Sequence, residues 1–132
     1  MADGTPDWND AWTTHANADA MADAASDDIA TGISHDGKWA TEVSVQVDYG
    51  ATATEGVKVY VLRYVSAAVT ESGANDAPWG FQMKYLANAT KYAVFTVDGT
   101  MVSKFSVFAT NDSGASVDIT CKARQLDKIV SV

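Results

Sequence analysis

From residue 26 onward, apolar and polar positions alternate with a period of two, the spacing that turns one face of a strand to a core and the other to water. The run 40–49 is the clearest: Val43, Val45, Val47 and Tyr49 alternate with Glu42, Ser44, Gln46 and Asp48. A shorter run at 26–33 centres on Ile29 and Ile33, and the turn His35-Asp36-Gly37-Lys38 joins the two. Residues 57–65 are apolar on both sides, with Val57, Val59, Val61 and Val65 opposed to Tyr60, Leu62 and Tyr64. Such a strand is central in its sheet, or is packed against another layer or subunit. Further strands are predicted at 79–86, through Trp79, Phe81, Met83 and Tyr85, and at 91–97. Two more, at 102–110 and 115–122, flank the tight connection Asn111-Asp112-Ser113-Gly114, and a closing strand lies around Leu126, Ile129 and Val130.

Seven or eight short strands separated by Gly/Asn/Asp turns predict an all-β domain, an antiparallel β-sandwich. The long connection 66–78 suits a crossover between sheets and favours a jelly roll over an Ig-like order. Before it, residues 5–25 are rich in Ala, Asp and Asn, with Thr5 and Pro6 placed as N-cap and first helical residue. Trp8 and Trp12, four apart, would share one face of a short helix there. The expected organisation is an N-terminal arm over 1–25 and a sandwich over 26–132.

Composition sharpens this division. The 132-residue chain carries a formal net charge of −8. Residues 1–37 contain Asp3, Asp7, Asp10, Asp19, Asp23, Asp27, Asp28 and Asp36 with no Lys or Arg, while the rest is formally neutral. An acidic block joined to a balanced body reads as an interaction arm or as a solvated tail. The two indoles read either as interface anchors, Trp being favoured there, or as cover for an open end of the domain's own core. Asp7 and Asp10 flank them as candidates for meeting a basic partner. Such an acidic chain is no nucleic-acid binder, because neutralising phosphates needs a basic face. The acidic start does not resemble an export signal, and no run of about 18 apolar residues suits a membrane helix. The expected site of synthesis is a cytoplasm, in keeping with the single Cys121.

Catalytic and metal chemistry find little support. His15 and His35 have no Ser or Cys nucleophile motif beside them. Cys121 occupies an alternating apolar position, where cysteine serves as a small hydrophobe. The oxygen-rich stretches 23–28, 75–76 and 111–114 lack the spacing of a calcium loop and read as turns. The chain is therefore expected to be no enzyme and to hold no cofactor or metal. Sugar stacking is the main competing chemistry, with Trp39, Trp79, Tyr49, Tyr85 and Tyr92 as a platform, although strand positions suit these residues equally to a core. Asn88-Ala89-Thr90 matches a glycosylation acceptor and reads here as a turn.

Three motifs carry a family likeness. Ser26-Asp27 leads from a polar segment into the strand at 43–49. Gly56 precedes Val59-Tyr60-Val61-Leu62, and Phe105-Ser106-Val107-Phe108 runs into Asn111-Asp112-Ser113-Gly114-Ala115. In these, residues 24–132 resemble the small jelly-roll virion proteins encoded in the structural-gene clusters of tailed bacteriophages. The resemblance implies a capsid decoration or cement protein on the outer surface of the virion. Its implied partners are the major capsid protein and further copies of itself, as a dimer or trimer, without membrane or nucleic acid. Trp8, Trp12, Asp7 and Asp10 would then anchor the arm, and Tyr60, Leu62 and Tyr64 would offer an oligomer or sheet face. The acidic arm exceeds what the fold requires, which leaves a tail, collar or head-fibre module that binds host carbohydrate as the alternative.

Overall fold

The computed structural model describes residues 4–9, 11–35, 38–64, 71–73, 77, 79–98 and 104–131, with the backbone alone for 4–7 and 127–131. Nine strands make up its elements: β1 (Gly4–Trp8), β2 (Thr13–Met21), β3 (Ser26–Ser34), β4 (Ala40–Asp48), β5 (Lys58–Arg63), β6 (Trp79–Gln82), β7 (Thr90–Asp98), β8 (Lys104–Thr110) and β9 (Val117–Ser131). They form a β-sandwich of two antiparallel sheets. One has the order β1-β9-β4-β7 with β2 also on β9, and the other has the order β3-β8-β5-β6.

The pairing is nested. β2 pairs β9, β3 pairs β8, β4 pairs β7 and β5 pairs β6. The chain thus behaves as one antiparallel ribbon whose far end lies between β5 and β6. Two further pairings, β4 with β9 and β5 with β8, join successive turns of that ribbon into sheets.

The core follows the predicted alternation. Val43, Val45 and Val47 of β4 are fully buried, as are Val59 of β5, Phe105, Val107 and Ala109 of β8 and Cys121 of β9. Each Val or Phe removed from water in this way contributes about 1.5–3 kcal/mol before cavity effects. β5 lies between β8 and β6, and on its outer face Leu62 is buried while Tyr60 packs against Phe108.

Three expectations are corrected. The short helix expected within 5–25 does not form, since β1 and β2 occupy this stretch. The reason is tertiary: β4 covers only one edge of the long β9, whose other edge leaves backbone groups that need partners. Residues 13–21 mix Ala16, Ala18, Ala20 and Met21 with the middling helix formers Thr, His, Asn and Asp, so local propensity is too weak to outweigh the ladder. The two strands expected at 115–122 and around 126–130 are instead one 15-residue strand, β9, with no Gly or Pro to break it. The strand expected at 79–86 stops at Gln82. Met83 is buried and donates its N–H to Val57 O at 2.8 Å, and the chain then turns through Asn88 at φ 60°.

One corner is tied together by a single side chain. Asn111 is fully buried, and its Nδ2 donates to Met21 O (2.9 Å), Ala22 O (3.1 Å) and Ala115 O (2.8 Å). Its Oδ1 accepts from Ser113 N at 3.1 Å. The amide therefore holds the β2–β3 turn against the β8–β9 turn. Asp23 adds a bond from Gly114 N at 2.9 Å, where Gly114 has φ +93° and needs the freedom of glycine. The Asn-Asp-Ser-Gly connection is thus a hydrogen-bonded corner.

Candidate functional site

The N-terminal tryptophans meet a residue more than a hundred positions away. Trp8 pairs in register with Leu126 across β1 and β9, with a bulge between Asp7 and Trp8. Arg124 points outward from β9, beside the buried Ala123. Its guanidinium carbon lies 5.4 Å from the Trp8 ring centre and 4.6 Å from that of Trp12, both within cation–π range. Nε of Arg124 donates to Glu42 Oε1 on β4 at 2.9 Å, so the cation is held from the side by a carboxylate and aimed at the indoles. Both indoles are half-buried.

Trp39 lies at the same end of the sheet, on the other side of β9 from Trp8. Its backbone N–H donates to Leu126 O at 3.4 Å, and the residue is 55% exposed. Three of the four tryptophans thus gather at one end of the five-stranded sheet, around Arg124 and Leu126. Sequence reasoning found Trp8 and Trp12 but missed Arg124 and Trp39 as their neighbours. Outward alternation from Cys121 and Ala123 was the only signal available for Arg124. Of the other arm candidates, Asp10 and the side chain of Asp7 lie outside the described residues.

The second predicted face lies on the outside of β5. Tyr60 is half-buried, 6.3 Å from the Phe108 ring, and stands over Gly80, where a Cβ would come within 2.4 Å of Tyr60 Cδ1. Tyr64 is half-buried, with Lys104 Nζ 5.1 Å from its ring centre. Leu62 is only 3% exposed, so the chain itself covers it. The structure therefore places all three on one sheet, with Leu62 inside the monomer.

The aromatic platform residues do not form one surface. Tyr49 is buried, and its hydroxyl accepts from Val57 N at 3.0 Å; burial raises its pKa, and that bond partly offsets the rise. Tyr85, Tyr92, Trp39 and Trp79 are exposed but lie on different elements. Trp79 packs with Phe81 and Phe95 at ring separations of 5.5 and 5.2 Å and closes the gap between β6 and β7. Beside it, a shallow groove of ≈ 300 Å³ is bounded by Lys58, Tyr60, Gly80 and Gln82.

The titratable groups considered as nucleophiles or bases have structural surroundings. Cys121 is fully buried, and burial pushes its thiol up to about 12. His35 is buried, with Nδ1 2.9 Å from Thr41 Oγ1 and its ring 5.4 Å from that of Phe105. His15, on β2, has its pKa lowered by desolvation. Asn75 and Asp76 lie outside the described residues, and Asp112 pairs with Lys58 at 3.5 Å. Among the described residues, no three His, Cys, Asp or Glu side chains are grouped to hold a metal ion.

No protein-family model matches the chain, and no curated protein matches it in sequence.

Proposed function

We propose that this protein is a structural virion component of a tailed phage, a jelly-roll capsid decoration protein that attaches to the outside of the head and bridges major capsid subunits. The observation that carries the reading is the nested pairing β2 with β9, β3 with β8, β4 with β7 and β5 with β6, the order of a rolled antiparallel ribbon. The hairpin motif that carries the family resemblance also occupies a constrained place, since Asn111 and Gly114 build the corner between β2, β3, β8 and β9.

Attachment would run through the Trp8–Trp12–Arg124–Trp39 cluster, because aromatic residues and arginine provide most of the energy at protein interfaces. A lattice repeats each such contact, so modest single contacts suffice. Deleting residues 1–25 would strip β1 and β2 from β9, so point substitutions are the informative test. Trp39→Ala and Trp12→Ala should each lower occupancy on purified undecorated heads, scored by cosedimentation and cryo-EM. Full occupancy by the double variant would remove the cluster as the docking site. Failure of the unaltered protein to bind heads at all would remove the decoration reading.

A second reading is a tail, collar or head-fibre module for host carbohydrate, and the groove beside the exposed Trp79 favours it. It predicts glycan-array binding that Trp79→Ala abolishes, and a blank array would leave it without support.

A further inference from the structure

The two lateral edges of the sandwich differ in kind. On one side, β2 and β3 carry exposed Asp19, Asp27 and Asp28, and both strands are broken by register shifts. β1 is bulged as well, between Asp7 and Trp8. Bulges and outward charges are the devices that stop an edge from pairing with another chain. On the other side, β6 is only four residues long. β7 is different, because it pairs with β4 through nine consecutive positions, Thr90 to Asp98, without a shift. Among the described residues, no strand pairs with its other edge.

β7 has no proline, and its only charges are Lys91 and Asp98, in a chain whose net charge is −8. It also presents Tyr92 at 68% and Val94 at 59% exposure, the two most exposed large hydrophobic residues of the described chain. Long, regular, neutral and apolar, this edge has none of the protections seen on β1, β2 and β3.

We propose that β7 is a self-association edge, pairing antiparallel with β7 of a second copy to make one continuous sheet across a twofold axis. The strand is self-complementary when centred on Val94. Val94 then faces its own copy, Tyr92 faces Thr96, Ala93 faces Phe95, Lys91 faces Val97 and Thr90 faces Asp98. No like charges meet in this register, which matters because two such acidic chains repel over most of their surface. The same operation on β3, about its central Ala30, would set Asp27 opposite Ile33 and Asp28 opposite Gly32, laying two carboxylates against uncharged residues. An isologous contact of this kind closes as a dimer, and it leaves Trp8 and Arg124, on β1 and β9, clear of the contact because β4 lies between β9 and β7.

The proposal deepens the self-association part of the virion reading and rests on that part alone. Its readout is mass in free solution, so it stands or falls separately from attachment to heads. Light scattering on the full chain should give twice the monomer mass at tens of micromolar, and Val94→Lys, which sets two ammonium groups face to face, should return the monomer. Thermal melting of that variant checks that it folds. A second variant, Val94→Cys, should lock as a disulfide dimer under mild oxidation, since directly opposed residues of antiparallel strands lie within bridging distance. Asp118→Cys, exposed on the central β9, should not. The buried Cys121 stays silent in both. A monomer at every concentration with no cross-linking through position 94 would overturn the proposal. So would a dimer that Val94→Lys leaves intact.

Discussion

The guanidinium of Arg124 stands 4.6 Å from the ring centre of Trp12, joining the last strand of the sheet to the link between the first two. Glu42 holds the other side of the cation at 2.9 Å, and the side chains of the ion pair are 23% and 18% exposed. A cation–π contact at a partly exposed site is worth about 0.5–1 kcal/mol, and a surface ion pair adds about the same or less. Arg124→Ala is therefore expected to cost about 1 kcal/mol in urea unfolding and to shift tryptophan emission as the indoles gain water. An unchanged spectrum would show that the indoles do not depend on the arginine.

Asn111 is the most consequential single polar residue. Replacement by Ala removes the side-chain donor from Met21 O, whose bond is buried, and from Ala22 O, while Ala115 O keeps the Ser113 hydroxyl at 3.0 Å. Each buried group left unpaired costs about 1–3 kcal/mol before any relaxation. A total loss of about 3 kcal/mol in chemical denaturation is expected. Asn111→Asp should be no better, because a carboxylate would face the oxygens of Met21, Ala22 and Ala115.

Gly56 tests close approach rather than backbone freedom. A Cβ there would lie 1.7 Å from Met83 O, a main-chain atom that cannot rotate away. Gly56→Ala should destabilise by about 2–3 kcal/mol, in the range of overpacking changes. Gly73→Ala is the contrast, since no atom lies within 4 Å of its added Cβ and only its φ of +56° opposes it, for about 1 kcal/mol.

Cys121 should be inert in the folded protein. Complete burial and a thiol raised to about 12 leave almost no thiolate at neutral pH. Reaction with a thiol reagent should therefore follow the unfolding transition in urea, and rapid labelling of the native chain would contradict the packing of β9.

Two groups give opposite pH dependences. Asp28 has its pKa raised, first by desolvation and then by the neighbouring Asp27. The native state therefore holds that proton more tightly than the unfolded chain, and stability declines as pH rises from 3.8 through the folded value. Asp28→Asn should remove this decline and slightly stabilise the protein at neutral pH. His15 has its pKa lowered by desolvation, so stability rises as pH climbs from its folded value to 6.5. His15→Gln should flatten that rise. Thermal melts across pH 3–8 on both variants check the two signs.

Local pattern carried much of the architecture. β4, β7 and β8 could be read because each alternates with period two between turn residues, and that alternation depends only on neighbours in the chain. β3, where Ile29 and Ala30 are both buried, showed only through Ile29 and Ile33. The corner at 111–114 was legible as a turn for the same reason, but not the three carbonyls that Asn111 would bind, two of which come from residues about ninety positions earlier. The candidate site was half legible. Trp8 and Trp12 stood out by type, whereas Arg124 and Trp39 gained meaning only from pairing across β1, β9 and β4.

The acidic N-terminal block shows the division most clearly. Its charge, its tryptophans and its richness in Ala, Asp and Asn are properties of composition, and they already separated it from the neutral remainder. Its conformation was not a local property. An open edge of β9 offered backbone partners to residues 4–21, and hydrogen bonds that would otherwise be left to water settled in favour of strands. The same packing placed Asp19, Asp27 and Asp28 along one edge and left β7, with no net charge, at the other. Which edge is guarded and which is open depends on strands brought together from both ends of the chain, so only the folded molecule decided it.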